Sequence, residues 1–169
     1  FGDLVIHGAH AKKLYTQNFN GFASINREPL ATISHNHLFW QKGPLQGGGY
    51  GECEFFVNTS LEPKVAVVKL IPGTTPDILE FYLANGYKGL VIESFGAGGV
   101  PNASNNWLPE LEKVLQAGVT VVCATQCLYD GVHLDTYPIG VLAKRLGAQS
   151  AELDTLETSV VKLMQELAQ

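Results

Sequence analysis

The stretch from Lys64 to Asn102 constrains the fold of this chain more than any other. It reads, in order, as an apolar β-branched run, a Pro-Gly turn, an amphipathic segment opened by Thr75 and Pro76, a second apolar run and a glycine-rich loop. Val65, Val67, Val68 and Leu70 suit a strand buried on both faces, and Leu90, Val91 and Ile92 suit its parallel neighbour. Between them Ile78, Leu79, Tyr82 and Leu83 fall at helical spacing, Pro76 sits where a first helical turn tolerates it, and Gly86 closes the far end. The pattern predicts a βαβ unit. Such units carry ligands at the carboxyl ends of their strands, so the loops Ile71–Thr75 and Ser94–Val100 are the places to look for chemistry.

The alternation continues downstream. Pro109, Leu111, Val114 and Leu115 predict a helix stopped by Gly118, and Thr120–Ala124 a third buried strand. After a polar loop from Thr125 to Pro138, Ile139, Leu142, Ala143 and Leu146 predict a helix ended by Gly147. Asp154 and Glu157 resemble a capping box for a last helix bearing Val160, Val161, Leu163, Met164 and Leu167. Together these predict a three-layer α/β domain with a parallel sheet and right-handed crossovers over residues 63–169.

Residues 1–33 read as the tail of a larger amino-terminal α/β domain, with a short strand at Leu4–Ile6, core contacts at Phe19 and Phe22, and turn chemistry from Asn26 to Pro29. Residues 34–62 have the weakest pattern: a Gly43-Pro44 break and a glycine tract at 46–51 mark a linker or extension, with one strand expected at Glu54–Val57. The chain opens FGDLVIHG, without an initiating Met and already strand-like, so it is expected to start inside a longer protein.

Composition narrows the function classes. Charged residues at 16% and apolar ones at 46%, without a run near the roughly 18 residues a membrane helix needs, describe a globular chain and not a membrane partner. A formal charge of −5 in scattered positions argues against a nucleic-acid surface. Three cysteines fit a reducing compartment better than a disulfide framework. Cys123 and Cys127 with His133 supply at most three metal ligands, one inside a buried strand, so no metal and no cofactor is expected. His7 with His10, and His35 with His37, form close pairs without a carboxylate or cysteine at matching spacing. The Gly96-Ala97-Gly98-Gly99 loop lacks both the lysine of a P-loop and the G-x-G-x-x-G pattern, so its glycines are expected to serve backbone conformation. Ser94, Thr125 and Cys127 are candidate nucleophiles, but no motif marks any of them as activated. Residue patterns alone leave an enzyme and a binding module equally open.

Four strings take the reading further: KLIPGTTPDIL, GLVIESFGAGGVPN, VVCATQCLYDGVHLDTYPIG and ETSVVKLM, with AKKLYTQNFNGFASIN upstream. In this order they resemble the carboxyl-terminal part of the L-asparaginases, in the cytoplasmic type I and archaeal-like branch, over about residues 9–33 and 63–166. The resemblance implies an amidohydrolase that converts L-asparagine to L-aspartate and ammonia through a threonine nucleophile, working in the cytoplasm as a homodimer or homotetramer. In that family a lysine and an aspartate assist the threonine, and the matching lysine here is Lys13. Such a lysine acts as a base only when desolvation or cationic neighbours lower its pKa. The family's T-G-G-T and T-D segments are absent from this sequence, so the nucleophile and its aspartate are expected on an amino-terminal half of the same enzyme. Gly98, Gly99 and Glu157 are the expected contacts to substrate or to a partner subunit's site. At the positions where some bacterial relatives hold a regulatory asparagine with an arginine and an asparagine stand Glu93 and Gly99, and a carboxylate repels the carboxylate of such a ligand. A glutaminase, a tRNA-dependent amidotransferase subunit and a non-catalytic dimerisation or ligand-sensing domain remain alternatives.

Overall fold

A computed structural model describes residues 1–41 and 56–169, in two compact units, Phe1–Thr59 and Ser60–Gln169. In the first unit β1 (Leu4–Val5) precedes a 3-10 turn (Gly8–His10), β2 (Ala11–Lys13), β3 (Phe22–Ser24), β4 (Ala31–Ser34) and β5 (His37–Trp40). Its pairing is antiparallel throughout: β4 lies between β1 and β5, and β2 pairs with β3. Among its described residues Ile25 and Ala31 are the buried apolar ones.

Three features of this unit differ from the sequence reading. The second strand of the β4–β5 hairpin falls in the weakly patterned stretch. Its two-residue turn, His35-Asn36, has positive φ at both positions (48° and 61°), the type I′ geometry that matches strand twist and that asparagine tolerates. Phe19 is 79% exposed and no core contact, because it sits in the loop joining β2 to β3, whereas Phe22 stacks on Phe1 with ring centroids 4.7 Å apart. The Gly43-Pro44 break, the glycine tract at 46–51 and the first half of the strand expected at Glu54–Val57 lie outside the described residues; Phe56 and Val57 carry no strand.

The second unit is the expected α/β domain. It runs β6 (Val65–Lys69), α1 (Asp77–Ala84), β7 (Gly89–Ser94), α2 (Leu108–Gln116), β8 (Thr120–Thr125), α3 (Pro138–Leu146), β9 (Gln149–Ser150) and α4 (Leu156–Glu166). The four strands form a parallel sheet in sequence order, with Val67 facing Val91 and Ile92 facing Cys123. The strand order never reverses, and α1, α2 and α3 pack in series, α1 against α2 and α2 against α3. Helix α4 packs on β6, β7 and β8. Gly89 makes that approach possible, since a Cβ there would stand 2.8 Å from both Leu163 and Leu167.

Leu90, Val91, Ile92, Val121 and Cys123 form the buried centre of the sheet, with Trp107, Leu111 and Leu163 closing over it. β6 departs from the expectation of burial on both faces: it is an edge strand, and Val67 is 39% exposed. β9 has no periodic signal, being two residues long and held mainly by its pairing with Val122 and Cys123. The cap of α4 is Thr155, whose hydroxyl accepts the Thr158 amide, and not Asp154; Glu157 stands in the first turn, one residue before the amide that the cap holds.

Candidate functional site

The carboxyl ends of β6, β7 and β8 converge on three loops, 70–76, 95–107 and 126–137. The ladder between β7 and β8 ends at the pair Ser94 and Thr125. Beyond that point backbone and side-chain bonds together fasten the loops, the Leu70 amide donating to the Glu93 carbonyl at 3.1 Å and Asn105 Nδ2 to the Thr74 carbonyl at 2.8 Å. Gln126 gives its amide N–H to the Ser94 carbonyl at 3.1 Å, while its side-chain Nε2 donates to the carbonyls of Leu70 at 2.5 Å and Glu93 at 3.2 Å. Thr125 Oγ1 donates to the Gly96 carbonyl and accepts the amide of Cys127. His133 adds an amide bond to the Ala97 carbonyl at 2.9 Å.

The glycine loop is a closed turn. Phe95 and Gly99 exchange two backbone bonds, and the Gly98 amide also reaches the Phe95 carbonyl at 2.9 Å. The amides of Phe95, Gly98 and Gly99 are thus spent inside the turn. Gly98 takes φ +110°, and a Cβ there would meet Val132 at 2.7 Å and Leu134 at 2.8 Å. Only glycine fits both the backbone angle and the space. Glu157 belongs to a helix that leaves the same cluster: Val132, which packs on Gly98, bonds the Glu152 carbonyl five residues before it.

Charge at this edge is paired. Lys69 and Glu93, facing residues on β6 and β7, form an ion pair at 2.8 Å, and the Glu93 side chain is only 13% exposed. Among the candidate nucleophiles, Ser94 is buried and gives its hydroxyl to the Ile92 carbonyl, and the Thr125 hydroxyl goes to Gly96, so neither donates to a base. Burial pushes the Cys123 thiol up to about 11, far from a reactive thiolate. Cys127 is exposed, and His133 Nε2 lies 2.8 Å from the Asp130 carbonyl. Among the described residues no group of three or more His, Cys, Asp or Glu side chains is arranged for a metal ion. Among the described residues the hydroxyls of Ser94 and Thr125 are both given to backbone carbonyls, an arrangement that holds loops in place.

Lys13 lies in the first unit, at the end of β2 opposite Phe22. Its ammonium stands over the Phe22 ring at 4.9 Å and the Phe1 ring at 6.0 Å, a cation–π arrangement. Lys12 precedes it in the same strand, so the two side chains leave opposite faces. Thr125 and Gln126 organise the strand-end cluster, yet no motif or spacing in the sequence assigns Gln126 a role. Its signal is slight: two polar residues directly after a buried strand.

Residues 64–169 match the family described as the glutaminase/asparaginase C-terminal domain. The chain is 35% identical over 161 residues to the D subunit of the glutamyl-tRNA(Gln) amidotransferase of Thermococcus kodakarensis, covering 95% of this chain and 36% of that protein. It is 34% identical to the corresponding protein of Methanopyrus kandleri, over 95% of this chain and 35% of that protein. The chain thus spans little more than a third of these relatives' length. Among solved structures, the thermostable L-asparaginase from Thermococcus kodakarensis superposes with a TM-score of 0.88 at 31% identity, over 98% of this chain and 49% of that one. L-asparaginase I from Vibrio cholerae superposes at 0.79 with 26% identity, over 100% of this chain and 50% of that one.

Proposed function

Because this chain belongs to the glutaminase/asparaginase family through its carboxyl-terminal domain, we propose that it forms part of an amidohydrolase that releases ammonia from L-asparagine, yielding L-aspartate. The observation that carries this reading is the likeness to the Thermococcus kodakarensis L-asparaginase, which extends over 98% of the chain and so includes the Lys13 segment. On this reading the nucleophile is a threonine outside these residues, and residues 1–33 are the tail of the domain that bears it. Lys13 serves as its general base or as the group that positions it. Gly98, Gly99 and Glu157 present themselves to the substrate or to a partner subunit's site, in a cytoplasmic dimer or tetramer with two-fold interfaces.

One observation favours a second reading. The amidotransferase subunits match at 34–35% identity, which makes ammonia release from glutamine for a tRNA-bound acceptor the competing activity. Ammonia production by the full-length protein, measured with asparagine and with glutamine in the presence and absence of glutamyl-tRNA, separates the two. Release from free asparagine supports an asparaginase. Release from glutamine that rises only with charged tRNA supports the amidotransferase. No release in any arm overturns the amidohydrolase reading.

A further inference from the structure

Lys13 and Phe22 stand directly opposite each other at the loop end of the β2–β3 pair. The backbone bonds of that pair fall at alternate positions, the Leu14 amide donating to the Gly21 carbonyl at 2.7 Å and the Ile25 amide to the His10 carbonyl at 2.8 Å. Lys13 and Phe22 are therefore a non-hydrogen-bonded pair, the kind in which facing side chains come closest, and both leave the same face of the ribbon. This register delivers the Lys13 ammonium onto the Phe22 ring, 4.9 Å from its centroid. The Phe1 ring stands further off, at 6.0 Å, the outer limit of a cation–π contact. Lys12, on the other face, is opposite Ala23.

A general base ends its step as a cation. When the Nζ amine takes the proton of the threonine hydroxyl and the hydroxyl oxygen attacks the amide carbon, positive charge appears at Nζ. The negative face of a ring already in place attracts that charge without rearranging. We propose that Phe22 is a positioning residue for Lys13, holding the side chain over its ring and stabilising the ammonium that proton transfer creates; this rests on the amidohydrolase reading above. In this role the ring acts on a charge that develops in the transition state and not on the substrate, so its loss lowers kcat and leaves KM alone.

The test uses the full-length protein and whichever amide it hydrolyses. Phe22→Leu keeps an apolar side chain and removes the ring face, whereas Phe22→Tyr keeps the face. A trifluorinated phenylalanine at position 22 keeps shape and packing while cancelling most of the negative potential of the face. We expect kcat to fall by about fivefold in Phe22→Leu and about threefold in the fluorinated protein, and to stay within about twofold in Phe22→Tyr, with KM within about twofold throughout. In a Lys13→Ala background Phe22→Leu should lower kcat no further, because the ring acts through Lys13. An unchanged kcat in the fluorinated protein overturns the proposal, since packing alone then accounts for any leucine effect. A rise in KM at constant kcat overturns it too, as does a further loss on top of Lys13→Ala. If Phe22→Leu fails to fold, the fluorinated protein decides. A wild-type protein inactive on both amides, or a Lys13→Ala protein of normal activity, sinks the reading beneath the proposal and the proposal with it. That result is distinct from Phe22 variants that match an active parent dependent on Lys13.

Discussion

Lys69 and Glu93 face each other at the ends of β6 and β7 with 2.8 Å between ammonium and carboxylate, and that pair settles the electrostatics of the strand edge. The cation is already committed, and the side chain beside it is an acid. A free amino acid approaching with its carboxylate foremost would have to displace Glu93 from Lys69. We therefore expect velocity against asparagine concentration to be hyperbolic in the full-length protein, with no lag and no activation by added aspartate. A Hill coefficient clearly above one would show that the acid does not block an effector. Breaking the pair with Glu93→Gln should cost no more than about 1 kcal/mol, since Lys69 is largely exposed and the pair is screened.

Gly98 and Gly73 both have positive φ, yet they should respond differently to alanine. Gly73 takes φ +95° with open space around it, so Gly73→Ala carries backbone strain alone, about 1 kcal/mol. Gly98→Ala adds contacts of 2.7 and 2.8 Å to Val132 and Leu134, and overpacking of that kind brings the total to about 3 kcal/mol. Urea denaturation checks the difference. Equal effects would mean that the 131–134 loop yields freely to the new methyl.

The two described cysteines should separate by reactivity. With Cys53 replaced by serine, one equivalent of a thiol reagent should react quickly at Cys127 at pH 8, and Cys123 should react only on unfolding. Burial raises the Cys123 thiol from 9.0 to about 11, so the unfolded chain loses this proton first as pH rises. The stability linked to the group is complete below about pH 9 and declines between about 9 and 11. Fast labelling of Cys123 in the folded protein would contradict its burial.

Much of this architecture is legible in the residues, for reasons that differ by element. Leu90–Ile92 and Val121–Cys123 announce buried strands because both faces of a central parallel strand need apolar side chains. Gly86, Gly118 and Gly147 mark helix ends by adopting positive φ. Val67 misleads because a β-branched run looks the same whether the strand is central or at an edge; position in the sheet is decided by strand order. β9 and the β2–β3 pair are only two and three residues long, and strands so short are dictated by their partners. The site is harder to read. Gln126 acts through carbonyls of residues far away in the chain, and no spacing rule connects position 126 with 70 and 93.

Lys12 and Lys13 provide an internal control, being neighbours of identical chemistry on opposite faces of β2. In the full-length protein Lys13→Ala should reduce kcat by at least about 10²-fold, the loss expected when a general base or its positioning group is removed. Its stability should change by less than about 1.5 kcal/mol, since the substitution removes a cation–π arrangement at an exposed residue. Lys12→Ala should leave kcat within a few-fold of the parent. Mild and equal effects would return Lys13 to an ordinary surface amine.

Ser60–Gln169 carries its own core, with a four-stranded parallel sheet covered by helices, so these residues expressed alone should unfold cooperatively and show native-like near-ultraviolet signals around Trp107. Phe1–Thr59 is in a different position: among its described residues Ile25 and Ala31 are the buried apolar ones, while Phe19, Phe39 and Trp40 are exposed. It should need further chain to be stable. On the proposed reading the nucleophile is a threonine outside the 169 residues, and a base without its nucleophile forms no acyl-enzyme. The chain by itself should therefore release no ammonia from asparagine or glutamine. Mixing it with a separately produced amino-terminal half should restore turnover and slow amide exchange in residues 1–33 in the same titration, because one assembly event accounts for both. Turnover by the 169-residue chain alone would move the nucleophile into these residues, with Thr125 and Cys127 the first positions to replace.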